Sequence, residues 1–154
     1  MSKKLWNQKG QTLIEAVGAL GILAIVISAT TIAVTTSLSN ATYDKNQTLA
    51  TQYAQQGTEI VRQTRDDNYP SFQGYSGTYC LVKGQTALSA GPCSANIDGF
   101  FVRSVQITPN GCGQNVSQVI VSVAFQDGKC PAGNYCHSQT DTSCLSVVNP
   151  VAAP

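Results

Sequence analysis

The chain is poor in charge. Of its 154 residues only 11% are charged, nine basic against eight acidic, for a formal net charge of +1. A balance this even argues against the dense basic footprint that binds nucleic acid. There is one histidine, His137, so no histidine pair is present to bind a metal or to serve a nucleophile. No glycine-rich phosphate loop and no internal repeat occur. No proline appears before Pro70, so nothing of that kind interrupts helix formation over the first 69 residues. The spacing of acidic, basic and nucleophilic residues matches no catalytic pattern, and the sequence reads as a non-enzyme with no cofactor.

What the chain does have is an apolar run from Leu13 to Val34, in which Glu15 is the only charged residue. About 20 apolar residues in a helix cross the hydrocarbon core of a bilayer. A carboxylate in such a helix costs about 2.5–3.5 kcal/mol on insertion scales, so Glu15 requires a partner that lipid cannot supply. Lys3, Lys4 and Lys9 precede the run. By the positive-inside rule the N-terminus stays in the cytoplasm and the rest is exported. All six cysteines, Cys80, Cys93, Cys112, Cys130, Cys136 and Cys144, follow the run. An even number on the exported side points to three disulfides, and six cysteines leave the pairing open among 15 arrangements.

Gly10-Gln11-Thr12-Leu13-Ile14-Glu15, behind that short lysine-bearing leader, resembles the prepilin motif of type IV pilins and pseudopilins. The resemblance implies cleavage after Gly10 by a membrane-embedded prepilin peptidase, methylation of the new N-terminus at Gln11, and an assembly role for Glu15. It also implies partners: other pilin subunits, an assembly platform, and the membrane before assembly. Gln11 stands where the family usually has Phe or another apolar residue. Removing the leader takes away three lysines, leaving six basic against eight acidic residues. An ordinary secretory signal would offer small-residue sites after Ala29 and Ala41. The apolar run, however, exceeds the usual signal core and carries a carboxylate near its start.

Helical spacing continues past the membrane segment, with Leu49, Tyr53, Ile60 and Val61 on one broad face. One helix is expected from about Gln11 to about Asp66, with weak points at Gly18, Gly21, Gly57 and the polar tract Thr35 to Asn46. Asp67-Asn68-Tyr69-Pro70 supplies the stop, because a residue before proline is pushed out of α geometry. Ala54, Gly57, Glu59, Val61 and Arg65 loosely resemble the helix end of minor pilins, and an amphipathic helix packing on a sheet explains the same residues. Strands are expected at Thr78–Lys83, Phe100–Thr108 and Ser117–Phe125, with a turn at Gly84-Gln85. Val119, Val121, Val123 and Phe125 share one strand face. Arg103 shares a face with Phe101, Val105 and Ile107, which places its strand near a sheet edge. Pro109 to Val116 reads as a hairpin loop and Lys129 to Cys144 as a disulfide-held loop. Leu145–Val148 reads as a short strand, and Asn149–Pro154 as a frayed tail.

The expected fold is α+β: a long N-terminal transmembrane helix packed on a small antiparallel sheet, as the resemblance also implies. The expected organisation is a leader over 1–10, a helix over 11–69 with its membrane part at 11–34, and an exported disulfide-containing β domain over 70–154. Cys130, Cys136, His137 and Cys144 match no usual zinc spacing, so no metal is expected. Asp98, Asp127 and Asp141 read as solvated carboxylates rather than calcium ligands. Lys83, Arg103 and Lys129 are too few and scattered for a nucleic-acid groove. Asn40, Asn46 and Asn115 match the glycosylation pattern by chance. The function expected is that of a minor pilin or pseudopilin, a structural filament subunit at the cell surface. The alternatives are an adhesin or DNA-uptake tip subunit that binds through its C-terminal disulfide loop, and a secreted disulfide-rich domain.

Overall fold

The computed structural model describes residues 11–95, 97–131 and 133–146. These fall into two units, one ending at Thr42 and one beginning at Tyr43. The leader with Gly10, Val147, Val148 and the expected tail lie outside the described residues.

Helix α1 spans Gln11–Asp67 and contributes to both units. The polar tract at Thr35 does not break it, and two of the tract's hydroxyls bond back to helix carbonyls. Thr35 Oγ1 donates to the carbonyls of Thr31 and Ile32, both at 3.0 Å, and Thr42 Oγ1 to that of Leu38 at 2.9 Å. Ser28 and Thr31 do the same higher up, at 2.8 Å each. Hydroxyls satisfied this way can face lipid at little cost.

α1 ends at Asp67, and a single turn, α2 (Tyr69–Phe72), follows. Asn68 caps it, its Oδ1 accepting from Ser71 N at 3.2 Å, and Pro70 sits in its first turn, where no amide is missed.

Five strands follow: β1 (Gly77–Cys80), β2 (Ser89–Ala90), β3 (Val102–Gly113), β4 (Val116–Phe125) and β5 (His137–Ser146). They form one antiparallel sheet in the order β2-β1-β3-β4-β5. Val105 and Ile107 of β3 lie beside Val121 and Val119 of β4, all turned inward. In the second unit the residues of α1 that meet this face are small: Ala50, Ala54, Gly57, Thr58 and Val61 are buried. Of the four residues expected on one broad face, Val61 is buried and Leu49, Tyr53 and Ile60 flank the contact half-buried. Gly57 is a packing position rather than a weak point. A Cβ there would lie 2.7 Å from Val121 Cγ1 and 3.3 Å from Arg103 Cδ, so only glycine allows this approach.

Other sequence expectations change, among them the strand expected at Thr78–Lys83, which ends at Cys80. Arg103 is not near an edge; its strand, β3, is the middle one, and its side chain is fully buried. The hairpin loop is shorter than expected, because β3 continues to Gly113 through a register shift after Thr108, and Gln114 and Asn115 alone make the turn. Half of the expected C-terminal disulfide loop, His137 to Cys144, is strand β5. Its alternation is real but its inward residues His137, Gln139, Asp141 and Ser143 are polar, which hides the pattern. Their partners come from elsewhere in the unit: Thr58 Oγ1 bonds Asp141 Oδ2, and Arg62 Nη2 donates to Ser143 Oγ at 3.1 Å. The two-residue strand β2 carries no sequence signal.

Three disulfides staple the sheet. Cys80–Cys93 encloses β2, Cys112–Cys144 links β3 to β5 across β4, and Cys130–Cys136 closes the loop before β5. Cys112 lies in the shifted stretch of β3, between Thr108 and Gly113.

Candidate functional site

In the first unit, Gln11 opens α1 and Glu15 stands one turn in, exposed among exposed apolar neighbours. Leu13, Ile14 and Val17 are 68%, 75% and 62% exposed. Among the described residues no hydrogen bond or ion pair engages Glu15, and the next basic residue along the chain is Lys45. None of the most apolar stretch of α1 is buried, and it is long and apolar enough to cross a membrane. Gly18 and Gly21 face open space. The surface here is continuous, apolar and shaped like a bare helix, with one carboxylate near its start. It can insert in lipid or pack against similar helices.

The second unit brings Asp127, Cys130, Cys136 and His137 together and holds the remaining candidates elsewhere. Arg103 is held by acceptors from two sides. Its Nε donates to Leu81 O at 3.0 Å and its Nη2 to Val82 O at 3.3 Å. Its Nη1 donates to Tyr53 O at 3.1 Å and Gln56 Oε1 at 3.2 Å. Burial lowers its pKa from the usual value, with the Tyr53 hydroxyl acting the other way. This is a structural pin between strand and helix, not a surface charge for nucleic acid. Lys83 forms an exposed pair with Asp98, Nζ to Oδ2 at 2.7 Å, and Tyr53 Oη donates to the same carboxylate at 3.2 Å. The hydrogen bond with Lys83 lowers the Asp98 pKa, and its counterpart raises that of Lys83.

Asp98, Asp127 and Asp141 do not converge: Asp98 meets Lys83, Asp141 meets Thr58, and Asp127 meets His137 with Oδ1 to Nε2 at 3.3 Å. Of the set Cys130, Cys136, His137 and Cys144, the last is bridged away to Cys112 while Cys130 and Cys136 are bridged to each other, and Asp127 stands with these two and His137. The sequence does not mark Asp127 as a neighbour of His137, because nine residues without periodicity lie between them. The signal available was the end of β4 meeting the start of β5, where Phe125 pairs with His137.

Residues 7–31 match the family model described as the prokaryotic N-terminal methylation motif. The match takes in Gly10, Gln11 and Glu15 and ends within the apolar run. No curated protein and no solved structure matches the chain. The motif supports type IV pilin-family membership and a substrate of prepilin peptidase, and it points to a structural subunit rather than an enzyme. With the long apolar helix and the antiparallel sheet, the arrangement is α+β and pilin-like, consistent with a single-pass membrane-anchored protein.

Proposed function

We propose that the chain is a minor pilin or pseudopilin, cut between Gly10 and Gln11 and built into a cell-surface filament through residues 11–34. The leader over 1–10 is removed, and the β domain is carried outward. The match over residues 7–31 carries this reading, since it joins the glycine, the glutamate and the apolar run in one motif. Glycine at position 10 suits it, because without a Cβ the backbone fits closely into a protease. Gly10→Val leaves an uncut precursor in the membrane, whereas the native chain begins at Gln11 when its terminus is read by mass spectrometry. A native chain beginning at Thr30 or Thr42 marks ordinary signal-peptide release and overturns the reading.

Glu15 is the assembly residue in this proposal. A buried carboxylate needs a cation or a strong donor. The pilin resemblance offers the amine that cleavage creates at Gln11 of a neighbouring subunit. Cleavage then makes the partner, and the pair sets the register of one helix against the next. Glu15→Leu keeps the volume and removes the charge. Processing and membrane retention persist, and incorporation into filaments falls sharply; assembly at the native level makes Glu15 a membrane-edge residue instead.

A further inference from the structure

The loop between β4 and β5, with the first residue of β5, gathers four residues of ligand type. Asp127, Cys130, Cys136 and His137 each place one ligand atom within 4.8 Å of the other three. His137 Nε2 is buried with no hydrogen-bond partner, although Asp127 Oδ1 stands 3.3 Å away. That contact is therefore one of proximity rather than of good hydrogen-bond geometry. Ligand atoms about 2.0–2.2 Å from a tetrahedral metal lie about 3.3–3.5 Å apart, which is the spacing of this nitrogen and this oxygen.

The surroundings fix the group as they would fix ligands. The Lys129 amide donates to Asp127 Oδ1 at 2.9 Å and orients the carboxylate. The Asp127 amide donates to Cys130 Sγ at 3.4 Å, a bond that stabilises sulfur carrying negative charge. The imidazole packs against the rings of Tyr43 and Phe125, with centroids 5.0 and 5.3 Å away. Cys130 and Cys136 are bonded to each other, with Cα atoms 5.6 Å apart. As a disulfide they are poor ligands. As two thiolates they complete a set of two sulfurs, one nitrogen and one oxygen.

The geometry points to a redox-gated site for a zinc-class divalent cation, formed by Asp127, Cys130, Cys136 and His137 when the Cys130–Cys136 bridge is open. The loop is closed in one of two ways, by its disulfide or by the metal. A dithiol reductant opens the bridge: the Cys130–Cys136 bond breaks, each sulfur gains a proton, and the dithiol is oxidised to its own disulfide. The cation then displaces both thiol protons and binds the two thiolates, the Asp127 carboxylate and His137 Nε2. A newly exported chain reaches the same state before its bridge forms.

The test uses the full chain in detergent, oxidised or reduced with a phosphine, which leaves no competing thiol. Uptake is measured by equilibrium dialysis against zinc chloride, and cobalt(II) serves as the spectroscopic probe. The reduced chain takes up one zinc, and its cobalt form shows thiolate charge transfer with tetrahedral bands. The oxidised chain takes up none. Asp127→Asn and His137→Gln, checked for native circular dichroism when oxidised, each weaken zinc binding more than about tenfold, the lower end of what even an outer partner costs. Cys112→Ser/Cys144→Ser retains the site, and Cys130→Ser/Cys136→Ser loses it. The inference is overturned if the reduced chain takes up no zinc. Equal affinity for the oxidised chain, unchanged affinity in both Asp127→Asn and His137→Gln, or loss of the site in Cys112→Ser/Cys144→Ser overturns it too. None of these outcomes depends on how the N-terminus is processed.

Discussion

Leu13, Ile14, Leu20 and Ile25 are 65–75% exposed in the first stretch of α1, while Ala50, Ala54 and Val61 are 0–1% exposed in its later stretch. The large apolar side chains are uncovered and the small ones are buried. The difference lies in what covers each stretch. The first stretch is long and apolar enough to cross a membrane, and lipid has no fixed shape, so any large apolar side chain serves there. A sheet has a fixed surface, and close packing demands residues that leave room for it. Val119, Val121 and Val123 fill that room from the sheet side, and Arg103 adds polar pins at Tyr53 and Gln56.

If the later stretch is held by shape and by pins, removing the strongest pin has the largest effect. Arg103→Met keeps an apolar stem and deletes every donor. The carbonyls of Leu81, Val82 and Tyr53 then lose a buried partner, at roughly 1–3 kcal/mol for each one left unsatisfied. A loss of at least about 3 kcal/mol is expected, read by thermal unfolding of the β unit through near-ultraviolet circular dichroism. Arg103→Lys recovers little, because an ammonium cannot span acceptors on two sides. A loss under about 1 kcal/mol for Arg103→Met would mean that apolar packing alone seats the helix.

The next effect compares glycines directly. Gly57→Ala gains about 1 kcal/mol of helix propensity but forces a Cβ against the buried Val121. Overpacking costs about 1–3 kcal/mol, so a net loss of up to about 2 kcal/mol follows. Gly18→Ala meets nothing within 4 Å and has only the gain. Helicity and thermal unfolding in detergent separate the two. If Gly57→Ala stabilises as Gly18→Ala does, the close approach is not limiting.

Most of this architecture was legible before the structure, and the exceptions share a cause. The helix and β4 announce themselves by apolar periodicity, and the stop at Asn68 and Pro70 by local chemistry. Arg103 and β5 were misread because apolar patterning equates inward with hydrophobic. Arg103 faces inward because carbonyls from two neighbouring segments meet there, and no local window contains those acceptors. β5 faces inward with Asp141 and Ser143 because Thr58 and Arg62 answer them across more than 80 residues of sequence. The N-terminal motif was readable for the opposite reason: its residues act through contiguous order. The Asp127–His137 neighbourhood needed the β4–β5 pairing to appear.

The smallest effect lies at the rim of the later stretch, where Tyr53 and Lys83 share the Asp98 carboxylate. Asp98 has φ 51°, a left-handed conformation that Asn also tolerates, so Asp98→Asn removes the charge while sparing the backbone. Both partners of the ion pair are about half exposed, and such pairs contribute little. The sign with pH follows from the shifts. The folded Asp98 pKa is lowered, so its contribution is present above the unfolded carboxylate value of about 3.9 and is lost as pH falls through the folded value. The Lys83 pKa is raised, so its contribution is present below the unfolded lysine value of about 10.4 and is lost as pH rises through the folded one. The difference between native and Asp98→Asn unfolding midpoints should therefore be small and flat from about pH 5 to pH 9, shrink in acid, and shrink again in high salt. Tyr53→Phe tests the remaining bond and should cost less than Asp98→Asn, because it leaves the ion pair in place. A deficit as large as that of Arg103→Met would reverse the ranking and make the rim, rather than the buried guanidinium, the main polar fastening of helix to sheet.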